Sequence, residues 1–437
     1  MKKYDNYKDS GVEWIGEIPE HWNINRLRNI ADSIKTGSTP PSEEIQYFEP
    51  KDINWYGPGD FDDLILYDAK RKISNLSIKE NKCRLFPPNS ILLIGIGATV
   101  GKVGIVSEAS TSNQQINAII LKNEYNPKYY TYFISTIKDI IVMEASSATL
   151  PIFNQTQTKN IVLPVPEIFE QTTIANYLDR KTTQIDTLIT KKEQFISLLQ
   201  EERTAVINQA VTKGLDPKVK MKDSGIEWLG EIPEHWEVTR LGFLSSKIGD
   251  GLHGTPNYVD NSDFKFINGN NIGNGQISIY EHTKCVSEDE YIFNKKELNQ
   301  NSILMSINGT IGNLGFYKGE KVMLGKSVAY INIIDSKALN FTYKYLESES
   351  CKTYIDNQLS GSTIKNLSLY SINKIPIPFP SFDEQKEIVD FITIKTNEID
   401  ILISKSQQKI ELLKEYKTAL ISEVVTGKVD VRDVILN

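Results

Sequence analysis

Lys8–Leu27 reads KDSGVEWIGEIPEHWNINRL and Lys222–Leu241 reads KDSGIEWLGEIPEHWEVTRL, so 15 of 20 positions agree at an offset of 214 residues. Chance does not produce that agreement, and so clear an internal period sets the architecture before any local assignment is attempted. The offset returns downstream, where Glu170-Gln171 matches Glu384-Gln385, Ile185-Asp186 matches Ile399-Asp400 and Val211-Thr212 matches Val425-Thr426. The chain is therefore two copies in tandem. Their ends agree well, whereas the middles, about Ile30 to Ile161 against Leu244 to Ile372, share only scattered short motifs. One such island is Ile91–Val106, ILLIGIGATVGKVGIV, beside Ile303–Tyr317, ILMSINGTIGNLGFY, each a β-rich run followed by a glycine-punctuated turn. Another is Thr36–Pro40, TGSTP, beside His253–Pro256, HGTP, where Gly and Pro set turns and Ser or Thr supplies short hydrogen-bonding groups.

Beyond Pro164-Val165-Pro166 and Pro376-Ile377-Pro378, each copy runs about 43 residues from Gln171 or Gln385 without proline and with a helical apolar period. Stepping three and four residues alternately from Gln171 gives Ile174, Leu178, Lys181, Ile185, Leu188, Lys192, Phe195, Leu199, Glu202 and Val206. From Gln385 the same steps give Ile388, Ile392, Lys395, Ile399, Leu402, Ser406, Lys409, Leu413, Tyr416 and Leu420. Seven of eleven positions are apolar in each seam, and two matching stripes favour mutual pairing over two helices lying separately on domain cores. Two equivalent copies related by a two-fold place such helices antiparallel, as a stiff rod of ~65 Å with a globular part at each end. The expected fold is α+β: a tandem pseudo-two-fold duplication with two globular domains separated by two long antiparallel coiled-coil helices. The expected boundaries are 1–165, 166–215, 216–380 and 381–437.

A length of 437 residues leaves room for roughly three domains, and 40% hydrophobic with 24% charged residues rules out disorder as the main state. Cys83, Cys285 and Cys351 form no C-x-x-C pair and no even disulfide set, which points to a reducing cytoplasm. No run approaches ~18 apolar residues, so a membrane span is not expected. A net charge of −7 argues against a uniformly basic nucleic-acid coat while leaving local basic patches open.

Catalytic constellations are missing. Gly95–Val103 would need glycine at Ile96 and Ser or Thr at Val103 to be a Walker A loop, and glycine at Val100 to be a dinucleotide fingerprint. His21, His235, His253 and His282 show no metal-ligand spacing, and no G-x-S-x-G elbow occurs. His21 and His235, inside E-I-P-E-H-W, read as framework, as do Trp14, Trp22, Trp228 and Trp236, expected to anchor each core. Asn126-Pro127-Lys128-Tyr129 resembles the Asn-Pro-Pro-Tyr loop of amino-group DNA methyltransferases, but Lys128 breaks it and no cofactor glycine pattern accompanies it.

Two divergent centres in a duplicated framework, each closing on P-x-P, then E-Q, then a long helix, resemble the specificity subunit of type I restriction-modification systems. The resemblance spans nearly the whole chain. Thr36–Pro41 and Gly254–Asp260 look like that family's Gly-Thr-Pro loops, and LPVPEIFEQTTIANYLD and IPIPFPSFDEQKEIVDFI look like the openings of its helical spacers. It implies a non-catalytic, cytoplasmic subunit whose two target-recognition domains each bind one half of a split double-stranded DNA sequence. It further implies two methyltransferase (modification) subunits and restriction/translocase subunits as partners, with S-adenosylmethionine, ATP and Mg in those partners and no cofactor in this chain. A duplicated non-DNA adaptor is the rival reading.

Candidate DNA-binding residues lie in the loops. In the first copy they are Lys35, Thr36, Ser38, Thr39, Thr99, Lys102, Thr149, Asn154 and Gln155; in the second, His253, Thr255, Asn270, Asn271, Asn308, Thr310, Lys326, Thr363, Lys365 and Asn366. Asn and Gln suit adenine edges, Lys suits guanine or phosphate, and Ser or Thr suits either. Lys70-Arg71-Lys72 and Lys295-Lys296 are candidates for phosphate contact, set against a plain solvated face. Asn308 and Lys326 stand roughly where the first copy has Gly97 and Asn113-Gln114, so the two centres are expected to read different bases.

Overall fold

The computed structural model describes residues 2–145, 150–359 and 365–434. The chain forms two compact units, Met1–Lys192 with Gln408–Asn437, and Glu193–Gln407. The first is called unit 1 and the second unit 2.

Unit 1 is built on β1 (Asn23–Arg26), β2 (Ala31–Thr36), β3 (Ile53–Tyr56), β4 (Ile65–Leu66), β5 (Ile91–Ile94), β6 (Val103–Val106), β7 (Thr111–Ser112), β8 (Ile116–Leu121) and β9 (Val162–Val165). The main sheet runs β2-β8-β5-β6-β4, antiparallel except for the β4/β6 pair. All four residues of β5 are buried, which is why Ile91–Ile94 is apolar without alternation: the sheet is covered on both faces. On one side lies α1 (Pro127–Thr136), whose Tyr129, Tyr130, Phe133 and Ile134 join Trp22 and Ile18 in the main core. Asn126 caps this helix, accepting from the Lys128 and Tyr129 N–H groups (3.0 and 3.3 Å) with Pro127 in the first turn. The Asn-Pro-Lys-Tyr stretch is thus a helix start. A short α2 (Gln155–Asn160) precedes β9, which pairs with β1.

Unit 2 repeats the plan with β10 (Glu237–Arg240), β11 (Ser245–Asp250), β12 (Lys265–Ile267), β13 (Ser302–Ser306), β14 (Leu314–Phe316), β15 (Val322–Leu324), β16 (Val328–Ile333) and β17 (Pro376–Phe379). Its main sheet is β11-β16-β13-β14, and β10 pairs with β17. Trp236 and Ile232 are as buried as Trp22 and Ile18. Trp14 and Trp228, expected in the cores, lie instead at their rims. Trp14 is 38% exposed and leans on Phe133 (5.9 Å between ring centroids), and Trp228 leans on Tyr354 (5.7 Å). The first Trp of each motif follows a glycine-serine turn at the surface, whereas the second closes the E-I-P strand that faces the core.

The repeated E-H-W and E-Q motifs meet. His21 Nε2 lies 2.9 Å from Glu170 and His235 Nε2 3.0 Å from Glu384. The adjoining Gln171 and Gln385, both buried, donate to the Pro166 and Pro380 carbonyls (2.8 and 2.9 Å) and fasten the P-x-P corner to the helix start.

The long helices are α3 (Ile168–Lys213), and, after α4 (Ser336–Glu347) of unit 2, α5 (Phe382–Val425). Within each unit a segment of one runs antiparallel to a segment of the other. In unit 1 Asp186 bonds Lys417 (2.7 Å) and Glu170 lies near Arg432; in unit 2 Arg203 meets Asp400 (3.3 Å) and Ile207 packs with Ile388 and Ile392. The buried seam differs in phase from the expected one. Ile174, Leu178, Ile185 and Leu199, with Ile388, Ile392, Ile399 and Leu420, are buried as expected, but Leu188, Phe195, Leu402 and Tyr416 face outward. Thr182, Ile189 and Ile196, with Thr396, Ile403 and Ile410, take the inner side instead. At 3.6 residues per turn, i+3 and i+4 flank residue i on opposite sides, and this sequence carries apolar residues on both. Packing within each unit selects the i+4 side, where the Thr182 and Thr396 hydroxyls are satisfied by the Leu178 and Ile392 carbonyls. Among the described residues no helix is long and apolar enough to cross a membrane.

Candidate nucleic-acid interface

In unit 1 the loops after β2 and β5 and before β8 and α2 gather at one end of the main sheet. The Gly37 N–H donates to Ile116 O (3.0 Å) and the Ser38 N–H to Ser112 O (2.8 Å), bringing the 36–40 loop against the turn that precedes β8. A side chain at Gly37 would place its Cβ 2.3 Å from the Ser112 and Asn113 carbonyls, so glycine is required there by contact. Thr36 donates to Asn117 Oδ1 (2.9 Å), and the Thr39 hydroxyl donates to Gln114 Oε1. The Phe153 N–H donates to Gly95 O (2.7 Å), drawing in the segment before α2. Beneath the loop the Cys83 thiol donates to Ser38 O (3.3 Å), and burial pushes that thiol up, keeping it a neutral donor. Arg84 reaches Thr36 O (3.4 Å) at the edge of a cleft of about 430 Å³ that Ser38 and Lys82 also line.

Unit 2 assembles the corresponding end. The Leu252 N–H donates to Leu324 O (2.7 Å), and Gly251 approaches so closely that a Cβ would lie 2.1 Å from that oxygen. Asn308 Nδ2 donates to Lys326 O (3.4 Å) and its backbone bridges to Asn366, while Ser327 Oγ donates to Asn268 Oδ1 (3.1 Å). His253 sits 2.7 Å from Asp250 on the exposed lip.

The structure therefore brings Thr36, Ser38, Thr39, Asn154 and Gln155 together in one unit, and His253, Asn308, Lys326 and Asn366 in the other. Thr99 occupies the turn after β5, Thr310 is exposed in the turn after β13, and Lys35, Thr255, Asn270 and Lys365 are exposed on or beside these loops. Several candidates are engaged in holding the loops. Asn154 caps α2 through the Thr156 and Gln157 N–H groups, and Gln155 donates to Ile34 O (2.8 Å). Asn271 is buried and donates to Ser278 O (2.9 Å). Lys102 is directed away, its ammonium donating to Phe61 O (3.1 Å). Thr149 and Thr363 lie outside the described residues. Of the basic runs, Arg71 stacks on Trp55 (4.7 Å), Lys72 pairs with Asp68 (2.9 Å), and Lys295 is exposed.

Sequence reasoning passed over Arg84 and Gln115 in unit 1 and Asn268 and Ser327 in unit 2, and it named Gln114 only as a counterpart of Lys326. For Gln115 and Ser327 the signal was a short run directly before an apolar strand, Asn113-Gln114-Gln115 and Gly325-Lys326-Ser327. Both ends present amide, hydroxyl and cationic groups on tightly braced backbones, the equipment for reading base edges.

Comparison with known proteins follows the same duplication. The profile of the type I restriction modification DNA specificity domain matches residues 19–197 and 233–412, the second match beginning 214 residues after the first. The putative type I restriction enzyme MjaX specificity subunit of Methanocaldococcus jannaschii is 26% identical over 450 residues, covering 98% of both chains. Two solved structures share the fold. One, from work on complex assembly and conformational transition of the type I R-M system, has a TM-score of 0.67 at 14% identity and covers 94% of this chain and 99% of the other. The HsdS subunit from Thermoanaerobacter tengcongensis has a TM-score of 0.55 at 13% identity, with 94% and 98% coverage. Two profile matches that together take in most of the sequence, repeated at the period of the duplication itself, make this chain a member of the type I restriction modification DNA specificity family.

Proposed function

We propose that this chain is the DNA-recognition subunit of a type I restriction-modification complex, reading a split double-stranded target with one loop cluster per unit and performing no chemistry itself. The observation that carries the reading is the pairing of like scaffold with unlike loops: both sheets brace their loops in the same way, yet Thr39 and Gln114 stand in one cluster where His253 and Lys326 stand in the other. Like scaffold lets equivalent partners dock twice, and unlike loops let the two half-sites differ.

Methylation and ATP-driven translocation fall to partners, two methyltransferase subunits and the restriction/translocase subunits, which bring S-adenosylmethionine, ATP and Mg. Support for docking on the helices comes from their outward apolar side chains: Leu188, Leu412 and Tyr416 in unit 1, and Phe195, Leu198 and Ile394 in unit 2. Exposed apolar groups repeated along a helix mark surfaces that a partner covers. The net charge of −7 suits a subunit that selects bases while partners supply much of the phosphate contact.

Single-molecule mapping of methylated adenines in the host genome, with and without this gene, tests the proposal. A two-part motif that vanishes on deletion is expected; a methylation pattern indifferent to the gene would overturn it.

A further inference from the structure

The turn that leads into the second strand of each main sheet, β8 and β16, has the same construction in both units. The Ile116 N–H donates to Asn113 O (3.3 Å), and the Val328 N–H donates to Gly325 O (3.0 Å). Strand register gives the same match, since three residues further on Ile119 faces Ile91 and Ile331 faces Ile303. The strand before each turn runs parallel to its partner, Thr111 beside Trp55 and Met323 beside Phe266. The first corner of the turn is Gln114 in one unit and Lys326 in the other, and both are exposed.

We infer that this corner is a base-reading position of each recognition unit, with Gln114 selecting adenine in one half-site and Lys326 selecting guanine in the other. The inference rests on the DNA-binding reading above and names two residues within it. The surroundings hold the corner still. Gly37 and Gly325 allow approaches that a Cβ would block at 2.3 Å, and the flanking Asn113, Gln115 and Ser327 side chains are engaged within their own units. Thr39 further fixes the Gln114 carboxamide from the side. A carboxamide offers two N–H donors and an oxygen with two lone pairs, so Gln114 Oε1 can accept from Thr39 and from adenine N6–H while its amide nitrogen donates to N7. An ammonium offers donors alone; it matches guanine O6 and N7 and meets the adenine amino group donor to donor. One backbone position thus carries opposite selectivity in the two units.

The test uses the full chain assembled with its methyltransferase partners. The adenine-methylation map of the unsubstituted complex comes first, and its failure to give a two-part motif would sink the DNA-binding reading itself. With the motif known, gel-shift titration is run on duplexes carrying each base at each half-site position. Gln114→Ala and Lys326→Ala should each lose at least about tenfold discrimination at one base pair of one half-site and leave the other half-site untouched. Gln114→Lys should turn preference at its base pair from adenine toward guanine, and Lys326→Gln the reverse. Unchanged discrimination at every position would overturn the inference. So would uniform weakening over all bases with a shallower salt dependence, which marks a phosphate contact, and so would uniform weakening with a lowered Tm, which marks a loop-holding role.

Discussion

At the residue scale, the buried carboxylates of unit 1 act as fasteners. Glu170 accepts from Tyr4 (2.6 Å), lies 2.9 Å from His21 and neighbours Arg432, joining the two chain ends to the start of the central helix. Asp430 is buried, bonds Arg432 through both carboxylate oxygens (3.0 and 2.8 Å) and accordingly has its carboxyl held below the ordinary range. A folded-state pKa below the unfolded one contributes stability above the ordinary carboxyl value of about 3.9, and that contribution is lost as pH falls through the folded value. The Tm gap between the unsubstituted chain and Asp430→Asn should therefore be full at neutral pH and shrink below about pH 4, as thermal melts across pH will read. The tryptophans give a second contrast. Trp22→Ala should cost about 3–5 kcal/mol in denaturant titration, because its ring is 0% exposed, whereas Trp14→Ala at the rim should cost about 1 kcal/mol.

At the element scale, the phase of the helical seam is the sharpest finding. Ile410 is 6% exposed and Leu188 43%, although a three-then-four count puts Leu188 inside and leaves Ile410 out. Ile410→Ala should destabilise unit 1 by about 2–4 kcal/mol and Leu188→Ala by less than about 1 kcal/mol, measured by chemical denaturation. Equal losses would return the seam to the expected phase. The ion pairs Asp186–Lys417 and Arg203–Asp400 occupy corresponding places in the two copies, but as partly exposed pairs each contributes under about 1 kcal/mol. Apolar burial, not charge, sets how the helices pair. Both helices stop at a glycine, Gly214 and Gly427, with φ of +73° and +74°. These glycines close on Trp236 and Trp22, so each helix end is also a lid on a core.

At the scale of the whole molecule, the sequence repeat and the folded unit are cut at different places. Val424 and Val425, at the end of the second copy, lie in the core of Trp22; Ala210 and Val211, at the end of the first, lie in the core of Trp236. Unit 2 is therefore one uninterrupted stretch, Glu193–Gln407, while unit 1 needs both Met1–Lys192 and Gln408–Asn437. Fragment 193–407 should fold alone with a cooperative melt. Fragment 1–192 should fold only when 408–437 is added, since without it Leu420, Ile421, Val424, Val425, Val429 and Val431 leave the core open. Circular dichroism and hydrogen exchange on the fragments, separately and mixed, will check both expectations. Cooperative folding of 1–192 by itself would contradict the shared core.

The sequence by itself determined the duplication, the α+β class, the two long helices and the loops that hold the candidate recognition residues, because each of these is written in local chemistry: repeated letters, apolar periods, and glycine and proline at turns. Thr39 and His253 could be nominated from a Gly-Thr-Pro stretch alone. Tertiary structure alone decided which side of each helix is buried and which copy's helix end closes which core, and it narrowed the rough match of Lys326 with Asn113-Gln114 to the one corner that Gln114 holds. These are outcomes of long-range packing, where residues far apart in the chain compete for a single interior, and a stripe with apolar groups on both flanks leaves that competition open until the partner surface is in place.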